Sequence, residues 1–215
     1  MKEFKLKHKK ILEYFTIEGT PGGNQDWLIE WDMNRGGCAA VTACDLCMLL
    51  SRRERFRKLY PFDANHISRD DFIKFSSIMK PFLFPRYHGV DFLETYICGL
   101  KDYMQSVKSN DLIIEGLSGN VSYEVFAEAI MNQIDDNFPV PFLLLNHYDS
   151  ELEDFFWHWF NLAGYEENEE NEDGLNVLTV TYGEYKWFPL RKLWDTHYKR
   201  KGGIIRVRCS LFNAL

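Results

Sequence analysis

The chain has 215 residues, 46% of them hydrophobic, 16% aromatic and 27% charged, with a formal net charge of −7 at pH 7. That length suits one globular domain with a sizeable core and requires no second one. The acidic balance argues against general affinity for nucleic acid or an anionic membrane, and no apolar run reaches membrane-spanning length.

Five cysteines, an odd number in a chain of ordinary size, make no disulfide framework. The N-terminus is charged through Lys10 and lacks the apolar core of a signal peptide, so a reducing, cytoplasmic location is expected. Basic residues cluster at Lys2, Lys5, Lys7, Lys9 and Lys10 and again at Lys199, Arg200, Lys201, Arg206 and Arg208. Both clusters read as solvated surface.

In chain order, residues 1–18 alternate basic and apolar positions before Ile11-Leu12-Glu13-Tyr14-Phe15, a pattern that fits a short strand or a helix. Residues 19–26 are a loop by their turn chemistry. Trp27, Leu28, Ile29 and Trp31 then anchor the approach to Asn34-Arg35-Gly36-Gly37. From Cys38 to Leu50 the apolar residues Val41, Leu46, Met48, Leu49 and Leu50 predict a helix buried nearly all round. Arg52-Arg53-Glu54-Arg55 is a solvated helix end or turn. Ser68-Arg69-Asp70-Asp71 resembles a capping box for a helix that carries Phe72, Ile73, Phe75, Ile78 and Met79 and stops before Pro81. Further helices are expected over 91–107 and over 122–135, the latter with Ser122 as N-cap.

The character changes at Phe138. Residues 139–146 predict a buried strand, 155–165 an aromatic one, 175–182 a third and 203–211 a last, with a short helix over 188–194. The acidic stretch 166–174 reads as a solvated hairpin loop, because its carboxylates lack the ordered alternation of a calcium loop. Helices first and antiparallel strands last make an α+β domain spanning 1–215, with a helical lobe at about 38–135 and a β-rich lobe at about 138–215. The helical insert from about 62 to 120 is expected to shape one wall of a groove.

Cys38 opens the buried helix, where N–H groups and the helix dipole favour an anion. A thiol there can fall from about 8.5 toward 3.5–7.5 and act as a nucleophile. The competing reading is a small core hydrophobe. A nucleophile needs a base on a facing element, and the histidines are His8, His66, His88, His147, His158 and His197. His158 lies inside the aromatic strand, where it is either a satisfied core histidine or a catalytic one, and His147, in a turn, is the weaker candidate. Cys44-Asp45-Leu46-Cys47 lies within the apolar helix with no second ligand pair, so it reads as packing. Nothing in the sequence points to a metal or organic cofactor.

Gly36-Gly37-Cys38-Ala39-Ala40-Val41-Thr42-Ala43-Cys44-Asp45, then Asp135-Asp136-Asn137-Phe138-Pro139-Val140, then His158-Trp159-Phe160-Asn161-Leu162-Ala163-Gly164-Tyr165 occur in that order. Over about residues 24–194 this resembles the papain-like cysteine peptidases of bacteria, in particular the double-glycine, bacteriocin-processing group. The resemblance implies a papain-like fold with the nucleophile helix packed on a C-terminal antiparallel sheet. It also implies hydrolysis of a peptide or small amide substrate, with Cys38 as nucleophile and His158 as base through an acyl-enzyme. It implies a side-chain amide upstream as oxyanion donor. Gln25 resembles that donor although it stands thirteen residues before Cys38, and Asn34 is nearer. The family's third residue, an Asp or Asn, is replaced here by Val180-Thr181-Tyr182-Gly183-Glu184. Thr181 is the expected orienting group, with Glu184 and Asp195 as alternatives. The departure leaves two readings open: a cysteine peptidase or amidase, and a papain-fold module that binds a peptide or acyl ligand with little or no turnover.

Overall fold

A computed structural model describes residues 8–86, 89–167 and 174–210. The chain is α+β, with a seven-stranded antiparallel sheet in the order β4-β9-β5-β6-β7-β8, and β1 joining through β6. The strands are β1 Lys9–Ile11, β2 Thr16–Ile17, β3 Thr20–Pro21, β4 Leu112–Ser118, β5 Val140–Leu144, β6 His158–Glu167, β7 Leu175–Thr181, β8 Glu184–Pro189 and β9 Gly202–Cys209. The helices are α1 Trp31–Gly36, α2 Cys38–Ser51, α3 Arg69–Met79, α4 Leu93–Ser106, α5 Tyr123–Asp135 and α6 Leu190–Trp194.

All fourteen residues of α2 are buried. A helix apolar on every side has no face to show to water, so the sheet and the other helices close round it. It packs on β6 and β5 from one side and on α3 from another. Ser68 caps α3 by accepting from the Asp71 N–H, and Ser122 caps α5 by accepting from the Val125 N–H, each as its sequence indicates. Gly37 separates α1 from α2 because no side chain fits there: a Cβ would stand 2.4 Å from the Met33 carbonyl oxygen.

Several boundaries differ from expectation. The ambiguous opening segment forms strand β1. The stretch 62–120 is not wholly helical, since β4 lies in it and pairs along its whole length with β9. The sheet is therefore not confined to the C-terminal third. β4 and β8 escape notice because both carry mostly half-exposed or exposed residues, which erases the alternation that marks a strand. β6 starts at His158 and not at Phe155, because Ser150–Phe155 form a 3-10 helix and Trp157 adopts a left-handed backbone (φ 54°), so the extended run begins only after it. The short helix shrinks to Leu190–Trp194, preceded by β8. The hairpin loop expected at 166–174 lies mostly outside the described residues, although β6 and β7 do pair antiparallel on either side of it. Leu211, at the end of the last expected strand, also lies outside them. No helix among the described residues is long and apolar enough to cross a membrane.

Candidate active site

Cys38 is the first residue of α2 and is 6% exposed; His158 is the first residue of β6 and is 5% exposed. Because α2 packs across β6, these two element ends meet at one cleft of about 710 Å³, which both residues line. Gln25, Trp31, Asp32, Arg35, Phe84, Arg86, Trp157 and Tyr182 are among its other walls.

His158 is held from two sides. Its Nε2 lies 2.7 Å from Thr181 Oγ1, at the end of β7. With Nε2–H donating there, the Nδ1 lone pair is left for a proton from elsewhere. The Tyr182 ring stacks on the imidazole, with centroids 4.7 Å apart and planes 6° from parallel, and its hydroxyl is 3.4 Å from Nδ1. Parallel rings in contact are separated by about 3.5 Å, so that line runs between the planes. The hydroxyl thus covers the face of Nδ1 and leaves its in-plane lone pair open. Tyr182 and Gly183 both have positive φ (51° and 74°) and form the two-residue turn between β7 and β8. Turns of this kind require such angles at both central positions. Tyrosine is uncommon there, and Asn24 Nδ2 pins the turn by donating to the Tyr182 carbonyl at 3.1 Å. Trp157, the other non-glycine cleft residue in this conformation, is tied to Asn146 Oδ1 by its indole N–H at 2.7 Å.

The protonation states differ from those expected of a helix-start thiol. Burial pushes the Cys38 thiol above its ordinary value; the N–H groups of Trp159, Ala39 and Cys38 itself oppose the rise without cancelling it. Burial also pulls His158 down to about 4. Desolvation outweighs the helix dipole because the sulfur is enclosed. Among the described residues no hydrogen bond joins Cys38 Sγ to His158. The resting pair is a neutral thiol beside a neutral imidazole.

Gln25 lines the cleft with Cys38 despite its distance in sequence, because α1 takes up the interval. Its Nε2 donates to the Asn34 carbonyl at 2.8 Å, which leaves one N–H of the amide uncommitted, and its buried Oε1 has no partner. The Asn34 side chain donates instead to the Asp26 carbonyl and is not a cleft wall. Of the alternatives to Thr181, Glu184 lies exposed at the start of β8 and Asp195 pairs with His197. His147 is spent on the Lys192 carbonyl and the Asp149 N–H. His66 pairs with Asp63, His8 contacts Tyr165, and His88 lies outside the described residues. Cys44 and Cys47 are buried in α2 with thiols raised by burial, and no group of metal-ligating side chains occurs among the described residues.

The sequence reading missed Tyr182 and the arginines of the cleft. A Tyr-Gly pair between two strands is a turn signal that could have found the first. The chain matches no protein-family model, no curated protein and no solved structure.

Proposed function

We propose that this chain is a thiol-dependent hydrolase of peptide or amide bonds on a papain-like fold, with Cys38 as nucleophile and His158 as general base. The observation that carries the reading is the shared cleft. A buried helix presents Cys38 and a strand presents His158 to the same space, while Thr181 Oγ1 lies 2.7 Å from Nε2; in the tautomer that donates Nε2–H to it, Nδ1 is the base. Substrate carbonyl carbon is attacked by Cys38 Sγ as the thiol proton passes to His158 Nδ1. The developing oxyanion meets the Cys38 backbone N–H and the spare N–H of Gln25 Nε2. His158 then protonates the leaving amine, and the acyl-enzyme forms. In the second half His158 takes a proton from water, which attacks the acyl carbon, and the departing sulfur recovers that proton. Neutral groups begin and end the cycle, and the ion pair exists only while substrate is bound.

A second reading is a module that binds a peptide or acyl ligand in this cleft without turnover. The enclosed, neutral pair and the absence of a Cys38–His158 hydrogen bond favour it. Turnover of a fluorogenic peptide library separates the two. Hydrolysis that falls by about 1,000-fold in both Cys38→Ala and His158→Ala, each variant still folded by circular dichroism, is expected of the hydrolase. Turnover that survives Cys38→Ala sinks it; binding of library members without any turnover supports the module. Iodoacetamide reports the resting thiol. Because burial raises the Cys38 thiol above its ordinary value, alkylation is slow at pH 6 and climbs only at alkaline pH.

A further inference from the structure

The cleft walls combine two features seldom left in water together. Of twelve large hydrophobic side chains exposed among the described residues, four line this one cleft: Trp31, Phe84, Trp157 and Tyr182. Trp31 is 74% and Phe84 51% exposed. The same cleft is also lined by three charged residues, Asp32, Arg35 and Arg86. Asp32 is already spent: Lys80 Nζ lies 2.7 Å from its carboxylate and holds it below the usual range. The two arginines have no carboxylate within ion-pair distance among the described residues. Arg86 also borders a neighbouring hollow with Glu94 and Asp102, and pairs with neither. Arg35 is held in place by its own helix, its guanidinium 5.5 Å from the centre of the Trp31 ring. Burial raises the Tyr182 hydroxyl, with smaller contributions from Asp26 and Asp154, and neither carboxylate is a wall of the cleft.

We propose that the cleft selects ligands that carry a carboxylate beside a flat or apolar group, the carboxylate taken by Arg35 and Arg86 and the apolar group laid on Trp31 and Phe84. The inference rests on the reading of this cleft as the substrate site. Guanidinium forks match carboxylates in two-point geometry, and apolar walls strengthen the pairing over that on an open surface. The carboxylate belongs either to an acidic side chain or to a chain end, and both present the same two oxygens. Neither arginine is buried, so replacing them leaves the core intact.

The test is equilibrium binding to the otherwise intact Cys38→Ala chain, read by tryptophan fluorescence and calorimetry. The probes are acetyl-Phe-Glu-amide, acetyl-Phe-Gln-amide and acetyl-Phe-Gln with a free terminal carboxylate. One of the two acids is expected to bind roughly three- to tenfold tighter than the neutral peptide, and which one does identifies the source of the carboxylate. That preference should vanish in Arg35→Gln/Arg86→Gln and shrink in 0.5 M salt. Equal affinities, no measurable binding of any probe, or a preference that survives the double substitution would overturn the proposal. Cys38-dependent turnover that ignores both the Glu/Gln difference and the free terminal carboxylate refutes this selectivity alone. A charge preference without any turnover refutes the hydrolase and keeps an acid-selective binding cleft.

Discussion

Thiol and imidazole are neutral in this cleft for one reason: water is kept from both. Phe155 and Tyr182 lie against the imidazole, and the sulfur faces β6 through the Trp159 N–H. A charged ring is penalised there more than the helix dipole can recover. Orientation then falls to Thr181 and Tyr182, where an acid would hold the ring more strongly. Thr181→Val should lower kcat by roughly tenfold with KM little changed, since it frees the ring without touching the walls that bind substrate. Tyr182→Phe, which keeps the stack, should retain most activity, whereas Tyr182→Ala should lose as much as Thr181→Val. Steady-state kinetics of the three variants checks this ordering, and equal losses in Phe and Ala would assign the role to the hydroxyl instead. Cys38 and His158 could be named as candidates from residue type and order, and Gln25 and Thr181 through the family resemblance. Their charge states could not, because burial is a property of neighbours that lie far away in the chain.

At the level of elements, α2 organises the molecule. Its uniform apolar character was plain in the sequence, and its burial on all sides follows from it. Its start is set by Gly37, whose missing side chain lets the chain leave α1 close against the Met33 carbonyl. Gly37→Ala should destabilise the chain by about 2–4 kcal/mol and displace Cys38, because the obstructing atom is backbone and cannot rotate away. Urea denaturation measures the loss, and a cost below ~1 kcal/mol would mean that the α1–α2 junction yields easily. The capped helices α3 and α5 were equally legible, since a cap is a local contest between one side chain and the first turn. β4 and β8 were not. Their residues are held by ladder partners contributed by β9 and β7, and partner choice leaves no trace in the strand's own polarity.

Across the whole molecule, two buried ionisable groups act on stability in opposite directions. Asp45, inside α2, accepts from the Gly23 N–H at 2.9 Å and from the Tyr14 hydroxyl at 3.2 Å, yet burial raises it to about 7. The folded chain therefore keeps a proton that the unfolded chain releases near 3.8. Its contribution to stability is complete below that value and is lost as pH rises to 7, about 4 kcal/mol in all. His158 does the reverse. It titrates near 4 folded against 6.5 unfolded, so its contribution is complete above 6.5 and about 3 kcal/mol is lost as pH falls to 4. Between pH 4.5 and 6.5 the two slopes cancel, and urea unfolding should find these groups adding almost no pH dependence. Asp45→Asn should expose the histidine slope, with stability rising by roughly 1.4 kcal/mol per pH unit. His158→Gln should expose the opposite one. Identical pH profiles for wild type and both variants would show that neither group is desolvated as the fold implies.

What the sequence determined by itself was local: the buried helix with a cysteine at its head, the two capped helices, the order of apolar strands, and hence an α+β chain. These follow from periodicity and capping, which neighbouring residues settle among themselves. The tertiary structure alone decided that β4 and β1 join the C-terminal strands, that Gln25 lines the same cleft as Cys38 although α1 separates them in sequence, and that Tyr182 covers His158. It also decided that the pair rests uncharged. Each of these depends on which distant segments are brought together and how much water they exclude, and those quantities exist only once the chain has closed on itself.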